Sequence, residues 1–340
     1  MPNVPLKLWL GGVQVPVLYQ GRSGCCIGED QIVFTVPNNV PTGCAVPLVI
    51  QIGTTAGTIR NSTVMPVATD SRNCTPLNAA LASVNVEQAV MAGPVSYGDV
   101  KLRHDLNNNG TYQDSATFQF FKILSYNPGT QPFFLSWLDD QPPGTCIVYP
   151  FNGGGNPPIS ALAPLDAGSS FTVKGPKGSV TVNGNPGQFN GTLDPSGGFL
   201  TAGQYTIAGN GGADVGVLSG TIAFPVLPTL VSPVNPTTVT RSNGLTVTWS
   251  GGGTSGNEQI LVSSATDGSF TNGSQALCIA PASAGTFALP PYVLLALPAG
   301  NFAGLQLSPA QVSVPFTATG LSVGLLQTQI DGVGPGLTLR

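Results

Sequence analysis

Leu6-Lys7-Leu8-Trp9-Leu10-Gly11-Gly12-Val13-Gln14-Val15-Pro16-Val17-Leu18-Tyr19 holds two short apolar runs parted by a glycine pair, and its reading decides the fold. Short runs rich in Val, Leu and aromatic residues, bounded by glycine, are strands joined by a turn rather than a helix, which would need an unbroken 3.6-residue period. Working outward, the same pattern recurs at Gln31 to Val36, Val46 to Ile52 and Ser62 to Val67. The separators are Gly21 to Gly28, Pro37 to Gly43 and Gly53 to Gly57, a spacing that suits a sandwich whose strands alternate faces. Five strands (Leu6 to Leu10, Val13 to Tyr19 and these three) are fewer than a complete sandwich needs.

Beyond Asp70 the pattern changes. Leu77 to Ala92, rich in Ala, Leu and Gln, predicts one helix. Val95 to Arg103 and Ser115 to Leu124 predict a hairpin around the turn-rich tip Asp105 to Gly110, and Phe133 to Leu138 and Cys146 to Phe151 predict further strands. Gly153-Gly154-Gly155-Asn156-Pro157-Pro158 reads as a linker, and a β-rich stretch follows from Phe171 to Phe224. In Leu245-Thr246-Val247-Thr248-Trp249 the alternation puts Leu245, Val247 and Trp249 on one face, which makes Trp249 a core residue. The expected organisation is an incomplete β module over 1–70, a helix and hairpin over 71–155, a β-sandwich over 156–226 and a C-terminal immunoglobulin-like module over 227–340.

Gly11-Gly12, Pro16-Val17-Leu18-Tyr19, Gly21-Arg22-Ser23-Gly24-Cys25-Cys26, Asp30-Gln31-Ile32 and Phe34-Thr35-Val36-Pro37 resemble an IPT-like immunoglobulin module. The modules it resembles sit at the C-terminal end of large secreted proteins of soil bacteria, and their leading strands would precede Met1 here. Leu200 to Thr206, Gly212 to Gly216, Thr240-Arg241-Ser242, Leu245 to Trp249 and Ala280 to Gly285 are similar to parts of the same proteins. The resemblance implies all-β, tandem immunoglobulin-like sandwich modules with one short helix-containing insertion, in an extracellular or cell-surface setting. It implies no reaction.

Composition agrees with that class. Charged residues are only 8% of the 340, so Ser, Thr, Asn and Gln must cover the surface, while 45 Gly and 31 Pro punctuate many short strands. With net charge −4, pI about 4.7 and no Lys or Arg cluster, nucleic-acid binding through a basic patch is disfavoured. From residue 251 onward the only acidic or basic side chains are Glu258, Asp267, Asp331 and Arg340, too little charge to oppose self-association. No apolar run reaches the length of a membrane-spanning helix. Met1-Pro2-Asn3-Val4-Pro5 lacks the basic start and apolar core of an export signal, so the chain reads as a fragment or as one whose signal has been removed.

Six cysteines, Cys25, Cys26, Cys44, Cys74, Cys146 and Cys278, permit fifteen complete pairings. With no C-x-x-C pair and a single histidine, disulfides in an oxidising compartment fit better than zinc; buried free thiols are the alternative.

Four strings carry possible chemistry. Asp105, Asn107 and Asn109 stand at positions one, three and five of a calcium-loop pattern, with Gly110 at six and Asp114 at ten; position twelve is Ala116 where a bidentate Glu belongs, so the plain hairpin tip competes. Gly320-Leu321-Ser322-Val323-Gly324 matches G-x-S-x-G, but a nucleophile elbow needs a following helix and a histidine, and His104, expected on a strand surface, is the only one. Asp139-Asp140 beside Trp137 hint at sugar cleavage, yet adjacent carboxylates point apart on a strand and suit a turn before Gln141-Pro142-Pro143-Gly144. Asn61, Asn73, Asn109, Asn190 and Asn272 begin N-x-S/T strings, which matter only in a glycosylating host.

The function expected from these features is non-enzymatic: an extracellular structural or adhesive protein that associates with itself or another cell-surface protein, forming fibres by strand sharing. A polysaccharide-binding module of a larger secreted protein is the alternative.

Overall fold

The structure is a computed structural model and describes residues 4–53, 59–70, 74, 93–107, 109–124, 140–152, 162–185, 187–235 and 237–340. The predicted helix Leu77 to Ala92, the strand Phe133 to Leu138 and the linker Gly153 to Pro158 lie outside these residues, as do Trp137 and Asp139.

The described chain is nearly all β, in several sheets with no barrel. Its first strands are β1 (Leu6–Leu10), β2 (Val13–Val15), β3 (Val17–Arg22), β4 (Asp30–Phe34), β5 (Gly43–Ile52) and β6 (Ile59–Val67). They form an antiparallel sheet in the order β2-β1-β5-β6 and a separate β3-β4 hairpin. The single strand expected over Val13 to Tyr19 is thus two. Pro16 has no N–H for the ladder, its carbonyl accepts from Thr35 N at 3.2 Å, and the chain turns there from one layer into the other. Alternation along β1 serves two cores. Leu8 and Leu10 point at the hairpin, with Val15, Val40 and Val46, while Trp9 points the other way and stacks on Tyr292 at 4.6 Å.

Next come β7 (Val95–Leu106), β8 (Tyr112–Ile123), β9 (Cys146–Asn152), β10 (Leu162–Pro164), β11 (Ser170–Gly175), β12 (Gly178–Asn183), β13 (Gln188–Asp194), β14 (Gly203–Gly209) and β15 (Leu218–Phe224). The predicted hairpin is β7–β8. The last elements are β16 (Pro228–Ser232), β17 (Thr237–Val239), β18 (Leu245–Gly251), β19 (Asn257–Ala265), β20 (Asn272–Pro281), β21 (Thr286–Leu289), the short helix α1 (Pro291–Leu295), β22 (Gly300–Pro309), β23 (Ser313–Phe316), β24 (Val323–Ile330) and β25 (Gly336–Leu339).

Two further cores each lie between two sheets. In one, the sheet β10-β8-β7-β24-β23, with β13 also on β8, faces β12-β11-β14-β15. Phe118 of β8 stacks on Phe171 of β11 at 4.5 Å, and Val100, Leu102, Tyr205 and Ile207 complete the contact. In the other, β17-β25-β22-β19-β20-β9 faces β16-β18-β21. Trp249 is in this core, as its alternation predicts, and its Nε1–H donates to the Ala282 carbonyl at 3.0 Å.

Sheets join segments that the sequence separates. β9 lies beside β20, clasped by the Cys146–Cys278 disulfide, and β24 lies parallel to β7. The chain enters the second core again through β23 and β24 before β25 returns it to the third. Such interleaving couples the two cores, because neither sheet is completed by one continuous stretch of chain. None of the helices among the described residues is long and apolar enough to cross a membrane.

Candidate functional site

The calcium-loop residues are not brought to one point. Asp105 and Asp114 occupy opposite faces of the β7–β8 ladder, because Asp114 sits opposite His104, one residue out of phase with Asp105. Asp105 accepts two hydrogen bonds from Arg103 Nε at 3.1 Å and one from Nη2 at 2.9 Å, and one from Ser115 Oγ. Asn109 Oδ1 accepts from Thr111 N and Oγ1, Asn107 Nδ2 donates to Thr111 Oγ1, and Gly110 takes φ +81°, the ordinary construction of a hairpin tip. Asp114 is wholly buried, with Oδ1 accepting from His104 Nδ1 at 2.6 Å and Oδ2 from the N–H groups of Phe199 and Leu200.

His104 therefore belongs to the core, not to the strand surface where its polarity put it. The signal was available: Gly98, Val100, Leu102 and His104 share one face of β7. Tyr112 stacks on its ring at 4.1 Å. Ser322 hydrogen-bonds with the backbone of Ser96 and leads into β24, a strand where a nucleophile elbow requires a helix. Since Val323 pairs with Tyr97 and Ile330 with His104, Ser322 and His104 stand near opposite ends of one ladder, roughly 25 Å apart at the usual rise per residue. Asp140 is buried.

All six cysteines are paired: Cys25–Cys26, Cys44–Cys74 and Cys146–Cys278. Cys25, Cys26 and Glu29 cluster at the exposed β3–β4 tip, but the two sulfurs are bonded to each other and are not thiolate ligands.

The surface that stands out is the β3–β4 layer. A sheet of four strands is faced here by a ribbon of two, and among the described residues both outer edges of that ribbon are unpaired. Inner-face residues Val17 and Phe34 pack on the small first core, whereas Leu18, Tyr19 and Val33 are exposed, as are Ile27 at the tip and Val36 just past β4. Tyr19 lies along Gly21, where a Cβ would come within 2.9 Å of its hydroxyl, and that hydroxyl donates to the Arg22 carbonyl at 2.8 Å. Glycine at 21 thus gives the tyrosine a flat bed on the outer face. At one end the layers part into a cleft between Leu6 and Ile52 on one side and Gln20, Asp30 and Ile32 on the other.

A second exposed apolar set, Val226, Leu227, Val231 and Val234, lies in and on either side of β16. Pro225, Pro228 and Pro233 remove N–H groups from that stretch and a bulge breaks its register, so it is a poor template for another strand. No proline interrupts β3 or β4.

Compared with protein-family models, curated proteins and solved structures, the chain matches none.

Proposed function

We propose that the chain is a non-enzymatic, extracellular structural or adhesive protein of immunoglobulin-like β modules whose copies associate through the β3–β4 layer of the first module. The observation that carries this is the two-strand ribbon, open at both edges among the described residues and apolar on its outer face. An unpaired edge offers backbone donors and acceptors to another strand, and exposed Leu18, Tyr19 and Val33 add area that association would bury. Three cysteine pairs support an oxidising, extracellular compartment. The separation of Ser322 from His104, and of Asp105 from Asp114, supports a non-catalytic, metal-independent reading of those strings.

Light scattering across a concentration series, with negative-stain microscopy, tests it. The wild type is expected to exceed its monomer mass of 34.6 kDa as concentration rises. Val33→Lys replaces apolar area in the Tyr19/Val33 row with a charged side chain and is expected to weaken association about tenfold, or about 1.4 kcal/mol. A wild-type protein that holds the monomer mass throughout overturns the proposal.

A different observation favours the polysaccharide reading. Phe270, in the β19–β20 turn, is the one non-glycine among the described residues with positive φ, +54°, a conformation that costs on the order of 1–2 kcal/mol. It holds an exposed ring edge-to-face with Phe302 at 6.2 Å, and Phe302 lies across Gly268. Exposed rings of this kind stack on sugars. Under that reading the protein co-sediments with insoluble cellulose or chitin and Phe270→Ala stays in solution; wild type remaining in the supernatant with both sinks it.

A further inference from the structure

Resting on the self-association reading, we infer that the occupant of this layer is a second copy of the chain joined head to tail. The outer edge of β4 in one copy pairs antiparallel with the outer edge of β3 in the next, in the register those strands already use within one chain.

Charge decides between the possible pairings. The only charged residue in β3 is Arg22 and the only one in β4 is Asp30, with Glu29 just before it. A symmetric contact of β4 on β4 never offers Asp30 an opposite charge, and one of β3 on β3 never offers Arg22 one. Only the unlike edges are complementary, and like charges set opposite each other across strands are unfavourable. Within a chain, Arg22 already sits opposite Asp30, Gln20 opposite Ile32 and Tyr19 opposite Val33. Repeating that register between copies places each Arg22 between two Asp30 carboxylates and continues the Tyr19/Val33 row along the outer face of one growing sheet.

The contact is heterologous, using two different edges of the same ribbon, so each added copy presents the same free edge as the last. Contacts of this kind generate open polymers unless the rotation closes into a ring. The ladder is antiparallel throughout, the outward backbone groups of each strand being those not used inside the hairpin.

The test is a charge swap split between two chains. Arg22→Asp and Asp30→Arg are made separately, and far-UV circular dichroism with a thermal melt checks that each keeps the wild-type fold; both residues are exposed. By light scattering, each variant alone is expected to need about ten times the wild-type concentration, or more, to associate, since every contact now sets like charges together. Mixed in equal amounts they are expected to associate as the wild type does, because in an alternating polymer every contact between copies again joins opposite charges while the pair inside each chain stays mismatched. Recovery in the mixture therefore reports the contact between copies and not the hairpin itself. Single variants that associate like the wild type, or a mixture no better than its components, overturn this register and partner edge while leaving self-association standing. A wild-type chain that stays monomeric overturns the self-association reading itself.

Discussion

Asp114→Ala is expected to destabilise the second core by about 3–5 kcal/mol, the range for stripping one partner from a buried polar pair. The carboxylate is fully buried and all its hydrogen bonds are short: His104 Nδ1 at 2.6 Å, Phe199 N at 2.8 Å and Leu200 N at 2.7 Å. It ties β8 to β7 through the histidine and holds the backbone turn that leads from β13 into β14. Alanine leaves an imidazole and two backbone N–H groups without acceptors, each costing about 1–3 kcal/mol when buried. Water cannot easily replace the acceptor, because Tyr112 covers the His104 ring at 4.1 Å and Phe224 meets it edge-on. A fall in melting temperature on the order of 10 °C follows from that cost. Asp114→Asn keeps one acceptor oxygen and the side-chain shape, so it should fall between alanine and wild type. A melting temperature for Asp114→Ala within about 2 °C of wild type would show that the loop before β14 does not depend on this carboxylate.

What the sequence showed and what it hid divide along a physical line. Alternation is local, so Leu6 to Leu10, the β7–β8 hairpin and Leu245 to Trp249 were legible as strands, and Trp249 as core. Sheet neighbours are not local. Nothing in Cys146 to Phe151 says that it lies beside β20, and nothing in Val323 to Ile330 says that it runs parallel to β7; an apolar period fixes which face is buried, not which strand is adjacent. The cysteine pairing was hidden for the same reason, since Cys146 and Cys278 meet only because β9 and β20 are in register. Polar residues misled more often than apolar ones. Asp114 was weighed as a loop ligand and His104 as a surface residue because of their chemistry, although Asp114, Ala116, Phe118 and Phe120 share a face as plainly as Val100, Leu102 and His104 do. The candidate surface was half legible: strands were expected over Val13 to Tyr19 and Gln31 to Val36, but Pro16 as the switch between layers, and the exposure of Tyr19 and Val33, needed the pairing of β3 with β4.

Glu258 repeats that lesson, and it yields an effect of comparable size with the opposite sign. Glu258, Ile260, Val262 and Ser264 share the inward face of β19, and Glu258 is fully buried with neither carboxylate oxygen hydrogen-bonded. Gly252, in the run Gly251 to Gly253 at φ +76°, +75° and +81°, lies against it, and a Cβ at Gly252 would collide with Oε1. Burial pushes its carboxyl up from 4.5 to about 8. The folded chain therefore holds a proton there that the unfolded chain gives up above 4.5. Stability from this group is fully present below about pH 4.5 and is lost as pH rises through about 8, where the fold must accept a buried, unpartnered anion. Asp99 contributes in the same direction but is finished sooner, since burial, opposed by Lys101 at 3.2 Å, raises it only to about 6. Between pH 6 and pH 8 the slope belongs mainly to Glu258. Glu258→Gln has the same shape and no proton to lose, so at pH 8 it is expected to be more stable than wild type by on the order of 3 kcal/mol, with the difference vanishing toward pH 4.5. Melting curves at half-unit steps from pH 4.5 to pH 9 read this directly. Parallel curves for variant and wild type would mean that the glycine loop opens to let the ionised carboxylate reach water, and that β18 and β19 are joined by a hinge rather than a cap.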